Sequence, residues 1–94
     1  MSISFSPEAE VEFAAAVGYL EERNKTAAAQ FGRRIFDVLD KLARRDFDGP
    51  ECTLDTGEVV RSWPVPPLRI YYQRRTSGLW IVRLYHQAGP PIVR

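Results

Sequence analysis

The chain is poor in the side chains that do chemistry unaided. Its 94 residues include one cysteine and one histidine. Cys52 can close no internal disulfide and build no cysteine metal site, which agrees with a reducing compartment. Beside a turn it reads as a passive thiol rather than a nucleophile. No apolar run approaches the ~18 residues needed to cross a bilayer, and the start of the chain lacks the basic and apolar regions of a signal peptide. A cytoplasmic protein without membrane contact is therefore expected, with no cofactor and no metal. The length suits one domain over residues 1–94. A hydrophobic content of 45% with 27% charged residues argues that it folds rather than stays disordered.

Acid is missing in a sharper way. From Val59 to Arg94 the sequence has no aspartate or glutamate, yet it holds Arg61, Arg69, Arg74, Arg75, Arg83 and Arg94. The formal net charge of only +1 arises because the charges are sorted along the chain. Residues 1–22 carry Glu8, Glu10, Glu12, Glu21 and Glu22 without a base, and residues 46–58 carry Asp46, Asp48, Glu51, Asp55 and Glu58 without a base. If the last block clusters, it makes a positive surface that attracts acidic partners or polyanions. If the earlier acids fold against it, the arginines are neutralised.

Ser6-Pro7-Glu8 is a helix start, with Ser as the cap, Pro in the first turn and acid against the dipole. A short strand over Ser2 to Phe5 precedes it. The first helix runs to about Arg23 with an apolar stripe of Ala9, Phe13, Ala16 or Val17, and Leu20. After a break at Asn24-Lys25-Thr26, a second helix places Ala28, Phe31, Ile35, Val38, Leu39 and Leu42 on one face. Its opposite face carries Arg33/Asp37, Asp37/Lys41 and Asp40/Arg44 at i,i+4, a solvated surface. The short connection makes the pair an antiparallel hairpin.

Beyond Gly49-Pro50 the helical period stops. Asp55-Thr56-Gly57 is a turn, Val59 to Trp63 a strand, and Pro64-Val65-Pro66-Pro67 a stiff connection. Leu68 to Arg75 and Leu79 to His86 form a hairpin about Thr76-Ser77-Gly78, and the tail from Gln87, with Gly89-Pro90-Pro91, cannot extend the ladder. The fold class is α+β: a short N-terminal strand and an antiparallel two-helix hairpin packed on an antiparallel sheet of about three to four strands.

Alternation puts Leu68, Ile70 and Tyr72 toward the helices and Arg69, Tyr71 and Gln73 on the open face. In the last strand the apolar trio Trp80, Val82 and Leu84 is expected in the core, with Arg83 and Tyr85 beside Arg69 and Tyr71 outside. Arg61 is a further candidate for that face, although Val59 and Trp63 share its side of the strand. An arginine and tyrosine surface suits phosphate contacts and base stacking, or an acidic protein segment. His86 would serve as a proton carrier near neutral pH, but alternation aims it at the helices and no carboxylate follows Glu58 to assist it. A structural and a catalytic role both stay open for it.

Phe5-Ser6-Pro7-Glu8-Ala9, the stripe Ala28/Phe31/Ile35/Leu42, Pro67-Leu68-Arg69-Ile70-Tyr71-Tyr72 and Ile81-Val82-Arg83-Leu84-Tyr85-His86-Gln87 together resemble the RelE/ParE superfamily of bacterial type II toxins, over nearly the whole chain. The resemblance implies a toxin neutralised by a co-encoded, acidic, partly disordered antitoxin that would dock on Arg61, Arg69, Tyr71, Arg83 and Tyr85. It leans toward the ParE-like arm, whose members poison DNA gyrase. In the RelE-like arm, which cleaves ribosome-bound mRNA without metal, Arg69, Arg83, Tyr85 and His86 would be catalytic, with Arg69 on the phosphate. Related sequences often carry an arginine soon after the His-Gln pair, where this chain has Ala88-Gly89-Pro90. A third reading is a non-toxic nucleic-acid or peptide-binding module.

Overall fold

The computed structural model of the chain describes residues 2–94. Strand β1 (Ser2–Phe5) leads into helices α1 (Pro7–Arg23) and α2 (Lys25–Ala43), followed by β2 (Glu51–Thr53), β3 (Val59–Val65), β4 (Leu68–Arg75) and β5 (Gly78–His86). The strands form one five-stranded sheet in the order β1-β5-β4-β3-β2. The helix hairpin lies on one face, so the expected α+β class holds. The sheet has more strands than expected, and it is mixed: β1 runs parallel to β5, while the remaining pairs are antiparallel.

Both helix starts are made as the sequence dictates. Ser6 Oγ accepts the Ala9 amide at 3.0 Å and donates to the Val82 carbonyl at 2.7 Å, so one buried hydroxyl caps α1 and ties it to β5. Asn24 alone separates the helices, and its side chain accepts the Ala27 amide at 3.1 Å. The helices differ in how deeply they sink. From α2, Phe31, Ile35, Leu39 and Leu42 are buried, each stabilising the fold by roughly 2 kcal/mol. From α1 only Ala9 is fully covered, while Phe13, Ala16, Val17 and Leu20 are half-buried. Ala15 and Ala16 are too small to fill the space that bulkier side chains would, and they line a groove along one side of α1.

The core is closed from the sheet side by Ile70, Tyr72, Leu79, Ile81 and Leu84. This differs from the expected trio of Trp80, Val82 and Leu84, and the cause is a β-bulge. Tyr71 pairs with Arg83, but Tyr72 pairs with Ile81, leaving Val82 as an extra residue in β5. A bulge reverses the facing on one side of itself. Leu79 and Ile81 therefore point to the helices before it, and Leu84 does so after it. Trp80 and Val82 join Leu54, Val60 and Tyr71 in a second apolar cluster on the opposite face.

Two further differences concern proline and the tail. Strand β3 continues through Pro64 and Val65, which pair with Arg69 and Leu68. Proline is tolerated there because β2 pairs only with Val59, Val60 and Arg61, so the outer edge of β3 at Pro64 needs no amide donor. The tail folds back over the second face and bridges Val93 to Leu54, with Asp55 N–H donating to Ile92 O at 2.7 Å and Arg94 N–H to Thr53 O at 2.9 Å.

Candidate functional site

Three of the six arginines of the acid-free block, Arg61, Arg74 and Arg83, are matched by acids. Arg83 forms a two-pronged pair with Glu12, Nε to Oε1 at 2.9 Å and Nη2 to Oε2 at 2.7 Å. These bonds hold the Arg83 proton more tightly than usual, against the opposing effect of burial. On the helix side, Arg74 and Arg61 converge on Asp48, at 3.2 and 3.6 Å. Asp48 also accepts the Tyr72 hydroxyl. Partial burial alone would raise the Asp48 carboxyl, but the bonds from Tyr72 and Arg74 and the charges of Arg74 and Arg61 hold it below its usual range.

Arg61 consequently leaves the group of open-face candidates. It pairs across the strands with Tyr72 and shares a face with Trp63, which stacks on Phe47 at 4.2 Å. By strand register Arg69, Tyr71, Arg83 and Tyr85 fall on the face opposite the helices, because Arg69 pairs with Tyr85 and Tyr71 with Arg83, but the Arg83 guanidinium turns to Glu12 of α1 and Tyr85 also lines the groove beside that helix. His86 pairs with Leu68 and lies on the helix side, where its Nδ1 accepts the Ala88 amide at 3.1 Å. Among the described residues no carboxylate stands within ion-pair distance of Arg69, whose Nε donates to Ser62 Oγ at 3.0 Å.

Two concavities flank β5. The larger is a groove of about 550 Å³ between α1 and the ends of β4 and β5, walled by Ala15, Ala16, Leu20, Phe31, Leu68 and Leu84, with Glu12, Tyr19, Pro67, Tyr85 and His86 on its walls as well. The smaller, about 270 Å³, lies on the opposite face between Arg69, Tyr71, Tyr85 and the tail residues Gln87 to Val93. Tyr85 belongs to both, and its hydroxyl donates to Pro90 O at 2.6 Å, pinning the tail. Burial pushes the Tyr71 hydroxyl above its ordinary range, so it stays a neutral donor at physiological pH.

Two features of the sequence signal the groove. Glu12 falls three residues after Ala9 and four before Ala16, which places a charge inside the buried stripe of α1. Such a carboxylate needs a partner, and here it takes both Arg83 and the Leu84 amide at 3.1 Å. The small side chains of Ala15 and Ala16 that line it are the second signal. Among the described residues no helix is long and apolar enough to cross a membrane.

No curated protein matches the chain. The family model of the ParE toxin of type II toxin-antitoxin system, parDE, matches residues 3–90.

Proposed function

The chain belongs to the ParE toxin family of type II toxin–antitoxin systems, and on that premise we propose that it arrests growth by binding and poisoning DNA gyrase rather than by bond chemistry of its own. In the cytoplasm it is held inactive by a co-encoded, acidic, partly disordered antitoxin. The observation that carries this reading is the dispersal of the groups a metal-free ribonuclease would need together. Arg69 and His86 lie on opposite faces of the sheet, Arg83 is committed to Glu12, and the Tyr85 hydroxyl is committed to Pro90. General acid–base catalysis requires its donor and acceptor within hydrogen-bond reach of one substrate. The α1 groove supplies the antitoxin's docking surface: an amphipathic segment can bury its apolar side against Ala15, Ala16, Leu20 and Leu84.

A ribosome-dependent endoribonuclease remains the second reading, and one observation favours it. Arg69 is available for a phosphate, since among the described residues it has no carboxylate partner. The deciding experiment is a gyrase supercoiling and cleavage assay on the purified protein, with Arg69→Ala alongside. Inhibition with trapped cleavage complexes is the expected result. A protein inert on gyrase that cuts mRNA in a translating extract, and loses that activity in Arg69→Ala, would sink the gyrase reading.

A further inference from the structure

We infer that the cavity between Arg69 and the tail is a receptor for a single carboxylate, an aspartate or glutamate side chain presented by a protein partner. The charge inventory of the sheet leads there. Arg83 is matched by Glu12, and Arg61 and Arg74 converge on Asp48, so Arg69 is left as the unmatched guanidinium on its part of the open face. Its Nε is taken by Ser62 Oγ, and this bond fixes the plane of the guanidinium while leaving the two terminal nitrogens for a ligand. Two terminal N–H groups in a fixed plane match the two oxygens of one carboxylate.

The surroundings favour a carboxylate over a nucleic-acid backbone. The walls are the rings of Tyr71 and Tyr85 and the tail residues Pro91 and Ile92, with the Gln87 amide at the rim. Those walls are mainly apolar and present one guanidinium, so they offer nothing to a second anion. The next arginine on this face of β4 is Arg75, six residues along and about 20 Å away at the strand rise. A run of phosphates, spaced far more closely than that, would meet Arg69 and then no further unmatched arginine of β4 until Arg75. One acidic side chain is fully answered by one arginine. The toxin–antitoxin reading bears only on where the acidic segment comes from; the cavity's preference does not depend on it.

The test uses isotope-labelled full-length protein and three small probes: glutamate blocked at both ends, glutamine blocked in the same way, and dimethyl phosphate. Nuclear magnetic resonance follows the Arg69 Nε–Hε and Gln87 amide signals. Blocked glutamate is expected to shift both, binding about tenfold more tightly than blocked glutamine, as one charge-assisted hydrogen-bond pair implies. Arg69→Gln, and Ile92→Trp, which fills the cavity from the tail, are each expected to remove that preference, while Arg75→Gln keeps it. The dispersed amide spectrum of each variant reports its folding. The inference is overturned if dimethyl phosphate binds as well as blocked glutamate, if glutamate and glutamine are indistinguishable, or if Arg75→Gln loses the preference too. None of these outcomes bears on gyrase, so the cavity and the proposed target fail separately.

Discussion

Glu12 and Arg83, 71 residues apart in sequence, close a two-pronged ion pair whose carboxylate also receives the Leu84 amide. Both side chains are mostly covered, at 20% and 29% exposure, so the pair is neither a solvent ornament nor a dry core pair. It fastens α1 to β5 where β1 has ended and the strand edge is uncovered. Glu12→Ala strands a guanidinium and an amide at once. It is expected to cost about 2 kcal/mol in urea denaturation, between the values for exposed and buried pairs. Arg83→Ala is expected to cost less, because Glu12 keeps the Leu84 amide. The double variant should fall short of the sum by about 0.5 kcal/mol or more; strict additivity would show that the pair is not coupled.

Asp48 gives the fold an acid-sensitive corner. Its carboxyl ordinarily titrates at 3.8 and is held lower in the folded protein. A depressed carboxyl binds protons more readily in the unfolded chain, so its contribution to stability is present above about pH 4 and fades as pH falls through the folded value. Asp48→Asn is expected to lower stability at pH 7 and to flatten the stability profile below pH 4. Parallel profiles for the two proteins would show that the arginine and tyrosine contacts do not act through the charge.

Gly49 sits where no side chain fits. A Cβ there would stand 1.8 Å from the Ser62 carbonyl oxygen and 2.7 Å from its carbon, both backbone atoms that cannot swing aside. The Gly49 amide also donates to Tyr72 Oη at 2.8 Å. Gly49→Ala is expected to destabilise by about 3 kcal/mol or more. Gly18 is the control: inside α1 with nothing within 4 Å of its added carbon, its replacement by Ala should stabilise by roughly 0.5–1 kcal/mol. Thermal or urea midpoints of the two variants moving in the same direction would refute the contrast.

The helices were legible because their signals are local: the Ser6-Pro7 start, the Asn24 cap and the three-four spacing of Phe31, Ile35, Leu39 and Leu42 lie within a few turns. The helix-facing side of β4 was legible for the same reason. The face of β5 was not, since both Leu79/Ile81 and Trp80/Val82 are apolar, and only the bulge opposite Tyr71 decides which goes inside. Parallel pairing of β1 depends on Gly78, whose φ of +142° and bare Cα let the Ser2 carbonyl approach. That is a contact across the whole chain, which no window of sequence contains. The matching of Arg83 by Glu12 and of Arg61 by Asp48 is likewise non-local. The open face thus keeps the expected Arg69, Tyr71, Arg83 and Tyr85 by register, but Arg83 is matched by Glu12 and Arg61 is turned to the helix side, so its unmatched charge is that of Arg69 and Arg75.

Ala15 is exposed on α1 and lines the groove without supporting the core. Ala15→Lys should therefore leave folding unchanged while placing a charged chain where an apolar segment would lie. Co-purification with the co-encoded antitoxin is expected to fall by about a hundredfold, in the range of a central interface residue. Growth arrest on overproduction should persist, now resistant to rescue by the antitoxin. Full rescue would mean that the antitoxin binds elsewhere.

His86 separates binding from catalysis most directly. It is exposed, its Nδ1 takes the Ala88 amide, and the face it occupies is the one Arg69 does not. A proton carrier so placed cannot serve a phosphate held by Arg69 unless the end of β5 turns over. Under the gyrase reading, His86→Ala keeps growth arrest within about twofold and leaves no bell-shaped pH dependence to lose. Under a ribonuclease reading, removing a general acid or base lowers activity by roughly 10²–10⁴-fold. Because the two expectations differ by orders of magnitude, a growth curve after induction of His86→Ala is enough to tell them apart, with the spectrum of the purified variant confirming its fold. A hundredfold loss of toxicity in a folded variant would place chemistry at the end of β5 and return Arg69, Tyr85 and His86 to one active site.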